Sequence, residues 1–467
     1  ATRGERRVED SPIRVEVIDE EEIAEKVAMT PGDIAMMLNE TGGLRVQTTS
    51  PSLGGANVRV QGLRGRYTQL LADGLPLYGG QTGGLGLLQI PPVDLGRVEI
   101  VKGTASALYG SAALGGVINL VSRRPGDDPE RTVLVNGTTR GGADLVGFAS
   151  GPLGGRAGGE GARPAWGYTL LAGLHGQRRN DLDADGWTDM PGYRRAVVRP
   201  RLFHDAPGRS AFLTAGVTLE DRDGGTWGGR AAPDGRAFAE ALATRRADVG
   251  ALGRWVLGGA GPLAGAILTA RGSAMTQAHA HTFGPARERD RHATGFAEAS
   301  LTRAAGRATT VLGAAWQRER YVARDVAGFD FDFSIPAVFA QVDVDAASWL
   351  ALSTSARLDA HDTYGTVASP RVSALLRRPA TGALAGWNAR LSAGAGFFAP
   401  TPFTEETEVV GLRAIRPLRG LVAERARSAS VDVGGPLETA LGRVELYGSV
   451  FGATVRRPVQ LQPEGGD

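Results

Sequence analysis

The sequence predicts a compact α+β domain over residues 1–125 and a long antiparallel β domain over residues 130–467. Three observations lead to this prediction. Glycine supplies 68 of the 467 residues, about twice its usual share, which favours tight turns over long helices. Segments of about ten residues that alternate apolar and polar side chains recur beyond residue 130. Between the two predicted domains lies a run of Pro, Gly and Asp at residues 125–129, which is typical of a domain boundary.

The first domain carries the signals of short strands and helices in turn. Residues 13–18 alternate as a half-buried strand does, and Asp19 is expected to cap a helix beginning at Glu20. A second helix is predicted from residues 30–33 through Leu38. Asp73-Gly74 is a turn signal. Further strands are predicted around residues 57–60, 69–71, 97–101 and 116–121.

The pattern of the second domain predicts a sheet with one apolar and one polar face. Strands are predicted at residues 213–220, 338–345 and 444–450, and their polar faces carry charges at mid-strand, as a water-filled lumen permits. Tight turns at 206–209 and 304–307 alternate with long polar loops, a pattern typical of an outer-membrane barrel. The long loops are predicted at 178–192, 222–246, 278–291 and 322–334. A soluble β-sandwich or propeller is the alternative, although no blade-length repeat is present.

Composition excludes several other classes of protein. Without cysteine the chain has no disulfide framework, thiol catalysis or cysteine metal site. Only Lys26 and Lys102 are lysines among 52 basic residues, and 50 acidic residues balance them. We interpret this arginine bias as a habit of genome composition, and we expect no binding of nucleic acid. No apolar run reaches the ~18 residues that a membrane-spanning helix needs. The first residues do not have the pattern expected of a signal peptide. No arrangement of catalytic residues predicts an enzyme.

The strand count bears on the extent of the chain. We count about fifteen candidate strands after residue 130. A sheet with an odd number of strands and an unpaired edge strand is not expected to be stable in lipid. We therefore expect that the chain is cut short and that further strands follow its C-terminus.

An ordered series of motifs resembles the plug domain of TonB-dependent outer-membrane receptors. The series comprises residues 57–63, 71–77, 97–103 and, most specifically, 106–120. Two later stretches, at 394–403 and 417–424, resemble two boxes of the family's barrel, the second with departures. The resemblance implies an α+β plug domain inside a transmembrane antiparallel β-barrel of the roughly 22-stranded type, of which about 15 strands are present.

The resemblance also implies a function. Receptors of this family import a scarce ligand across the bacterial outer membrane, energised by the TonB complex. A ferric siderophore is the expected cargo, cobalamin is the alternative within the family, and a passive porin or adhesin is the alternative outside it. A porin has no need of the first domain. We further expect a monomer in outer-membrane lipid, without a covalent cofactor.

The resemblance suggests two groups of site residues. Apical loops of the plug are expected to meet the ligand through Ser50, Ser52, Tyr78, Gln81 and Thr82. Polar contacts between plug and barrel are expected from Arg59, Arg64, Arg66, Glu99 and Lys102, which would face luminal acids such as Glu220, Glu298, Asp343 and Glu445. The alternatives are an ordinary glycine-rich loop and charges that are simply solvated.

One loop motif predicts a metal site. Alternating acids and a glycine, at Asp181, Asp183, Asp185, Gly186 and Asp189, are typical of a calcium-binding turn. Because Gly192 occupies the twelfth position, where an EF-hand has glutamate, the motif is not an EF-hand. It resembles the calcium-dependent loops of cobalamin receptors. A solvated acidic loop is the alternative.

Heme uptake is a further alternative. Heme receptors of the family place a histidine between the two barrel boxes, whereas residues 401–416 contain none. His279, His281 and His292 cluster around the predicted loop 278–291, where they could form a metal or heme site or simply supply loop polarity.

Overall fold

The computed structural model describes residues 10–50, 52–78, 87–154, 165–232, 235–378, 384–404, 407, 411–440 and 442–460. Two parts stand out in it. A small α+β domain ends at Ser122, and one large antiparallel sheet begins at Glu130. We call the first part the plug and the second the barrel wall. Inward-facing side chains of the wall contact the plug and bind it.

The plug is built on a four-stranded sheet with two helices packed on it. In chain order its elements are β1 (Glu16–Ile18), α1 (Glu20–Met29), α2 (Ala35–Glu40), β2 (Leu44–Ser50), β3 (Gly55–Val60), β4 (Thr68–Ala72), β5 (Leu95–Lys102), α3 (Ser106–Tyr109) and β6 (Gly116–Ser122). The sheet has the order β1-β5-β6-β4, in which β4 and β6 are parallel. The strands β2 and β3 form a separate hairpin. All of the elements predicted for this domain are present, and β2 and α3 are additions.

Local chemistry explains the helix starts. The Asp19 carboxylate accepts a hydrogen bond of 3.0 Å from the backbone N–H of Glu22, which confirms the predicted cap of α1. Asp33 accepts from the backbone N–H of Ala35 at 2.9 Å and so supports the first turn of α2. The apolar faces of both helices then pack into one core with the sheet, and this core reaches Phe203 and Phe212 of the barrel wall.

The barrel wall contains fifteen strands in sequential order, each antiparallel to the next. They are β7 (Glu130–Gly137), β8 (Gly142–Leu153), β9 (Trp166–Gln177), β10 (Gly192–Ala206), β11 (Arg209–Gly225), β12 (Ala239–Val256), β13 (Ile267–Phe283), β14 (Ala286–Ala305), β15 (Ala308–Ala323), β16 (Phe331–Ala347), β17 (Leu350–His361), β18 (Gly365–Arg377), β19 (Asn388–Phe398), β20 (Glu424–Thr439) and β21 (Gly442–Arg456). Within the described ranges β7 pairs with β8 alone and β21 with β20 alone, so the sheet is open between them.

Burial on the wall is inverted relative to a soluble protein. Along β11, Leu213, Val217 and Leu219 are exposed on the outer face, whereas Thr218 and Glu220 are buried on the inner face. An apolar exterior around a polar interior is what a strand in lipid requires. None of the helices in the described part of the chain has the length and apolar character of a membrane-spanning helix.

The two rims of the wall differ. One carries two-residue turns at 207–208, 306–307 and 348–349 beside longer connections such as 257–266, and the other carries the longer connections 178–191 and 324–330 beside the two-residue turn at 284–285. Four of the seven tryptophans lie at or beside strand ends on the short-turn rim, like the aromatic girdle of outer-membrane barrels. They are Trp166, Trp255, Trp349 and Trp387. Short turns mark the periplasmic side of such barrels, which orients the wall.

One predicted loop is wrong and two are shorter than expected. Residues 278–291 belong to β13 and β14, which run on to a two-residue turn at 284–285. The error arose because alternating charges on a luminal strand face look like loop polarity in the sequence. The expected loops at 222–246 and 322–334 also shrink, since β11 extends to Gly225, β12 begins at Ala239, and only 324–330 separates β15 from β16.

Candidate functional site

The inner face of the barrel wall holds the plug through buried charged groups, and Glu220 is the centre of one such network. Glu220 is 1% exposed on β11 and accepts hydrogen bonds from Arg222 at 2.7 Å and Arg195 at 3.3 Å. The plug contributes Gln89, whose amide donates to the same carboxylate at 2.8 Å. Two guanidinium groups thus pair with the buried carboxylate while one plug side chain shares it, which joins plug and wall through one hydrogen-bonded cluster.

Arginines of the wall also bind the plug through its main chain. Arg195 donates to the Gly32 carbonyl at 2.7 Å, and Arg222 donates to the Leu53 carbonyl at 2.9 Å. The same contact recurs around the lumen, from Arg271 to Gly74 (3.0 Å), Arg371 to Thr104 (3.1 Å), Arg390 to Ser11 (3.2 Å) and Arg377 to Asp10 (3.2 Å). Guanidinium suits this task because it offers five donors and stays charged at any physiological pH.

The plug turn at Asp73-Gly74 is contacted by arginines of two wall strands, Arg271 of β13 and Arg201 of β10. Both residues have positive φ, 51° and 76°, as the predicted turn requires. Arg271 donates to the Gly74 carbonyl and pairs with Glu298 on the next strand at 2.8 Å. Nearby, Arg201 of the wall pairs with Asp94 of the plug at 2.5 Å, and both groups are buried. The turn therefore packs against two ion pairs, Arg271–Glu298 and Arg201–Asp94.

Tyr78 of the plug lies against a buried ion pair of the wall. Arg199 and Asp248 make two hydrogen bonds, of 2.7 and 2.8 Å, across the intervening strand. The Tyr78 ring centroid is 5.6 Å from the Arg199 guanidinium and 5.3 Å from that of Arg246, within cation–π range. Burial raises the pKa of Tyr78, so its hydroxyl stays neutral beside these charges.

A third network joins the plug to the start of β20. Arg66 donates to Glu424 at 3.3 Å, and the Tyr67 hydroxyl donates to the other oxygen of that carboxylate at 2.5 Å. Glu424 is fully buried. Burial, together with the hydrogen bond to Glu424, raises the pKa of Tyr67 to about 12. The hydroxyl therefore remains a donor throughout the physiological range.

Several glycines of the wall leave room for the plug to approach. A Cβ on Gly224 would lie 1.9 Å from the Ser52 carbonyl oxygen, and one on Gly394 would lie 2.6 Å from the Thr104 hydroxyl. Part of the high glycine content is thus explained by close packing between two layers of backbone, besides the turns predicted from the sequence.

The predicted ligand-binding residues divide into three groups. Gln81 and Thr82 lie outside the described residues. Ser50 is buried at the end of β2, and the Ser52 hydroxyl bonds to Glu240 of the wall. Tyr78 is buried as described above, so the expectation that it presents an aromatic face to an external ligand is wrong. A plug tyrosine next to a glycine-rich segment looks exposed in sequence, but barrel arginines cover it here.

Of the residues predicted to join plug and barrel, some contact the wall and others bond within the plug. Arg66 makes such a contact, whereas Glu99 accepts from Arg97 and Asn119 of its own domain, and Lys102 bonds to Glu16 and the Gly42 carbonyl, also within the plug. Arg59 is half-buried opposite Arg45 in the β2–β3 hairpin, and Arg64 is half-buried just before Arg66. The described contacts of Glu99 and Lys102 thus lie within the plug, and their predicted contact with the wall stays a prediction.

The predicted luminal acids mostly face inward. Glu220 and Glu298 take part in the networks above, and Asp343 is buried beside Gln341, whose amide donates to it at 2.9 Å. Glu445 is different, because its side chain is 65% exposed and pairs with Arg443 on the same strand. It nevertheless shares a strand face with Tyr447, whose ring the plug's Arg14 covers, so its contact with the plug stays a prediction.

The residues that sequence reasoning missed are the arginines of the inner wall. The arginine bias by itself suggests a habit of genome composition, yet several arginines on the inner strand face contact the plug. The spacing of charged residues carries a signal, because residues i and i+2 of a strand lie on the same face of the sheet. Three such pairs are Glu220 with Arg222, Arg246 with Asp248, and Arg357 with Asp359.

The acidic loop gathers three of the four predicted metal ligands. One carboxylate oxygen each of Asp181, Asp183 and Asp189 lies within 4.8 Å of the others. Asp185 falls outside this group, and its carboxylate accepts from the backbone N–H of Trp187 at 2.7 Å. Asp181 Oδ2 accepts from the backbone N–H of Gly186 at 2.9 Å, whereas Oδ1 is buried and has no hydrogen-bond partner in the described part of the chain. Three clustered hard oxygen donors fit calcium chemistry.

The three clustered histidines lie on strands and face acids or aromatic rings. His292 contacts Glu319 at 2.9 Å, His279 contacts Asp290 at 3.2 Å, and the His281 ring lies 3.7 Å from that of Phe283. The expectation that they occupy a loop is therefore wrong.

Comparison with known proteins identifies the architecture. Residues 7–117 match the family model described as the TonB-dependent Receptor Plug Domain. The vitamin B12 transporter BtuB of Photobacterium profundum is 31% identical over 155 residues, which are 33% of this chain and 25% of that protein. The hemin receptor of Yersinia pestis is 38% identical over 118 residues, which are 25% of this chain and 17% of that protein. The matched stretches thus cover a quarter or less of either relative.

Solved structures show the same fold over nearly the whole chain. The siderophore receptor PirA from Acinetobacter baumannii has a TM-score of 0.71 at 14% identity and covers 95% of this chain and 71% of its own. The ferric yersiniabactin uptake receptor FyuA from Yersinia pestis has a TM-score of 0.70 at 14% identity, covering 96% and 72%. Residues 7–117 thus carry the plug domain of TonB-dependent receptors, and the wall that holds this domain has the fold of the solved outer-membrane receptors.

Proposed function

We propose that this receptor imports a scarce ligand across the outer membrane, with the TonB energy-transducing complex supplying the work. The observation that carries the proposal is the chemistry of the contact between plug and wall. Hydrogen bonds and ion pairs from side chains of both parts, many of them guanidinium groups, to carbonyl or carboxylate oxygens lie between several small apolar clusters such as Leu53 with Leu242. When such a contact opens, water can replace the lost partners, so the plug can shift and return without exposing a large apolar surface.

We propose a ferric siderophore as the cargo and cobalamin as the alternative. The solved structures with this fold include siderophore receptors, and the curated relatives that match the plug include a vitamin B12 transporter and hemin receptors. Hemin is the weaker candidate, since residues 401–416 contain no histidine. A passive porin is disfavoured because the plug lies against the inner face of the wall and is bound to strands from β10 to β20.

A disulfide between plug and wall tests the proposal. The hydroxyl oxygens of Thr104 in the plug and Ser428 in β20 are 2.9 Å apart, and the chain has no native cysteine to interfere. The double variant Thr104→Cys/Ser428→Cys, when oxidised, should bind its ligand normally but import none, and reduction should restore import. The Ser428→Cys single variant is the matched control and should import like the wild type.

The ligand panel for this test contains ferric enterobactin, ferric yersiniabactin and cyanocobalamin. Energy-dependent uptake of a ferric siderophore is the expected result, and uptake of cyanocobalamin alone would favour the alternative cargo. Unchanged import by the oxidised double variant, or liposome swelling without an energised partner, would contradict plug-gated import and favour a passive channel.

We also propose that the loop 178–191 binds calcium through Asp181, Asp183 and Asp189. The close approach of three carboxylates and the unpartnered oxygen of Asp181 support this proposal. Calorimetric titration with calcium should give heat for the wild type and none for Asp183→Asn. Absence of heat from the wild type would exclude the site.

A further inference from the structure

A groove of about 550 Å³ lies on the outer face of the wall, at the short-turn rim. Its floor is formed by apolar side chains that point outward from neighbouring strands, including Leu376 of β18 and Val433 of β20. Trp349, Trp387 and Leu384 form its sides. This volume falls within the range of about 300–1,000 Å³ found for small-molecule sites.

Two arginines line the groove beside this apolar floor. Arg377 ends β18 and is engaged by the plug, because it donates to the Asp10 carbonyl at 3.2 Å and pairs with the Asp10 carboxylate at 3.3 Å. The next residue, Arg378, is exposed, and its guanidinium has no ion pair or hydrogen bond anywhere in the ranges that the structure describes. The groove therefore joins an apolar floor to one unsatisfied, permanently charged donor group.

The position of the groove sets what can reach it. Trp349 lies in a two-residue turn and is 53% exposed, and it belongs to the girdle of four rim tryptophans that marks the membrane interface. Toward the membrane centre the wall continues with exposed apolar residues such as Val431 and Leu391. The floor thus opens onto hydrocarbon, while Arg378 lies at headgroup level on the periplasmic side.

We propose that this groove is a binding site for one glycerophospholipid of the periplasmic leaflet. An acyl chain would lie along the apolar floor, and the phosphate would accept hydrogen bonds from Arg378, since guanidinium binds phosphate in a bidentate manner. A free anion would make no use of the apolar floor, and a neutral hydrocarbon would make no use of Arg378. A phosphate attached to an acyl chain matches both features at this depth. The inference rests on the wall's position in the membrane and is independent of the cargo.

Native mass spectrometry of the protein in detergent micelles tests this site. The probes are phosphatidylglycerol, diacylglycerol, which lacks the phosphate, and lipopolysaccharide, which belongs to the opposite leaflet. We expect one phosphatidylglycerol to be retained at an activation energy that removes diacylglycerol and lipopolysaccharide. Arg378→Gln should weaken this retention by at least about tenfold, as expected for loss of a charge-assisted hydrogen bond.

Two further variants separate the groove from general lipid adhesion. Trp349→Ala removes one apolar side and should also weaken retention, and a heat-modifiability gel confirms that each variant is folded. Arg209→Gln is the matched control, because Arg209 is an exposed arginine on the same rim, away from the groove, and it should bind lipid like the wild type.

Three outcomes would overturn the inference. Equal retention of diacylglycerol and phosphatidylglycerol would show adhesion without phosphate recognition. Preference for lipopolysaccharide would place the contact in the other leaflet. An equal loss of phosphatidylglycerol retention in Arg378→Gln and Arg209→Gln would show that the overall charge of the rim, and not the groove, holds the lipid.

Discussion

Gln89 of the plug donates a 2.8 Å hydrogen bond to Glu220 of the barrel wall, in the middle of a buried cluster with Arg195 and Arg222. Replacing Glu220 by Gln would leave two buried guanidinium groups without their carboxylate. Breaking a buried pair in this way costs about 3–5 kcal/mol. We therefore predict faster amide hydrogen exchange in the plug segments around Gly32 and Gln89. Glu445→Gln, at an exposed site, is the control, and equal exchange in both variants would contradict the assigned role.

The Tyr67–Glu424 contact predicts a pH dependence. The pKa of Tyr67 rises from 10.0 to about 12 on folding, so the folded state favours the neutral hydroxyl. The stability that this contributes is fully present below about pH 10 and is lost as the pH rises through about 12. Subtracting the ultraviolet titration curve of Tyr67→Phe from that of the wild type should isolate a single tyrosine with its midpoint near 12. A midpoint near 10 would show that the hydroxyl is not held as described.

The contact between Gly224 and Ser52 predicts a steric effect. An added methyl group on Gly224 would meet the Ser52 carbonyl oxygen at 1.9 Å, so one of the two backbones must move. We expect Gly224→Ala to displace the plug loop around Ser52 and to break the Ser52–Glu240 hydrogen bond. Protease sensitivity of that loop measures the change. Gly448→Ala, where a methyl group meets nothing within 4 Å, should behave like the wild type.

The N-cap of α1 predicts a local effect on stability. Asp19→Ala removes the acceptor of the Glu22 N–H and should destabilise the helix by about 1 kcal/mol. Hydrogen exchange of α1 should accelerate accordingly, by about fivefold. Glu21→Ala removes an acidic residue of the same turn without removing the cap, and it should change exchange much less.

Sequence patterns predicted those features whose causes are local. The cap at Asp19, the Asp73-Gly74 turn and the alternating strands of the wall follow from residues within a few positions of one another. The prediction failed at residues 278–291, because a charged face that points into a lumen has the same composition as a solvated loop. It also failed for Tyr78, whose covering arginines are distant in the chain.

The sequence by itself thus determined the order of plug and wall, the elements of the plug, and the polarity of the wall's two faces. Only the tertiary structure decided which charges meet, as Arg195 and Gly32 show, because 163 positions separate them. It also decided that arginines on the inner face of the wall bind the plug, as Arg222 and Arg371 do. The physical reason is that periodicity and capping depend on neighbours along the chain, whereas the partner of a long charged side chain depends on how two domains are packed.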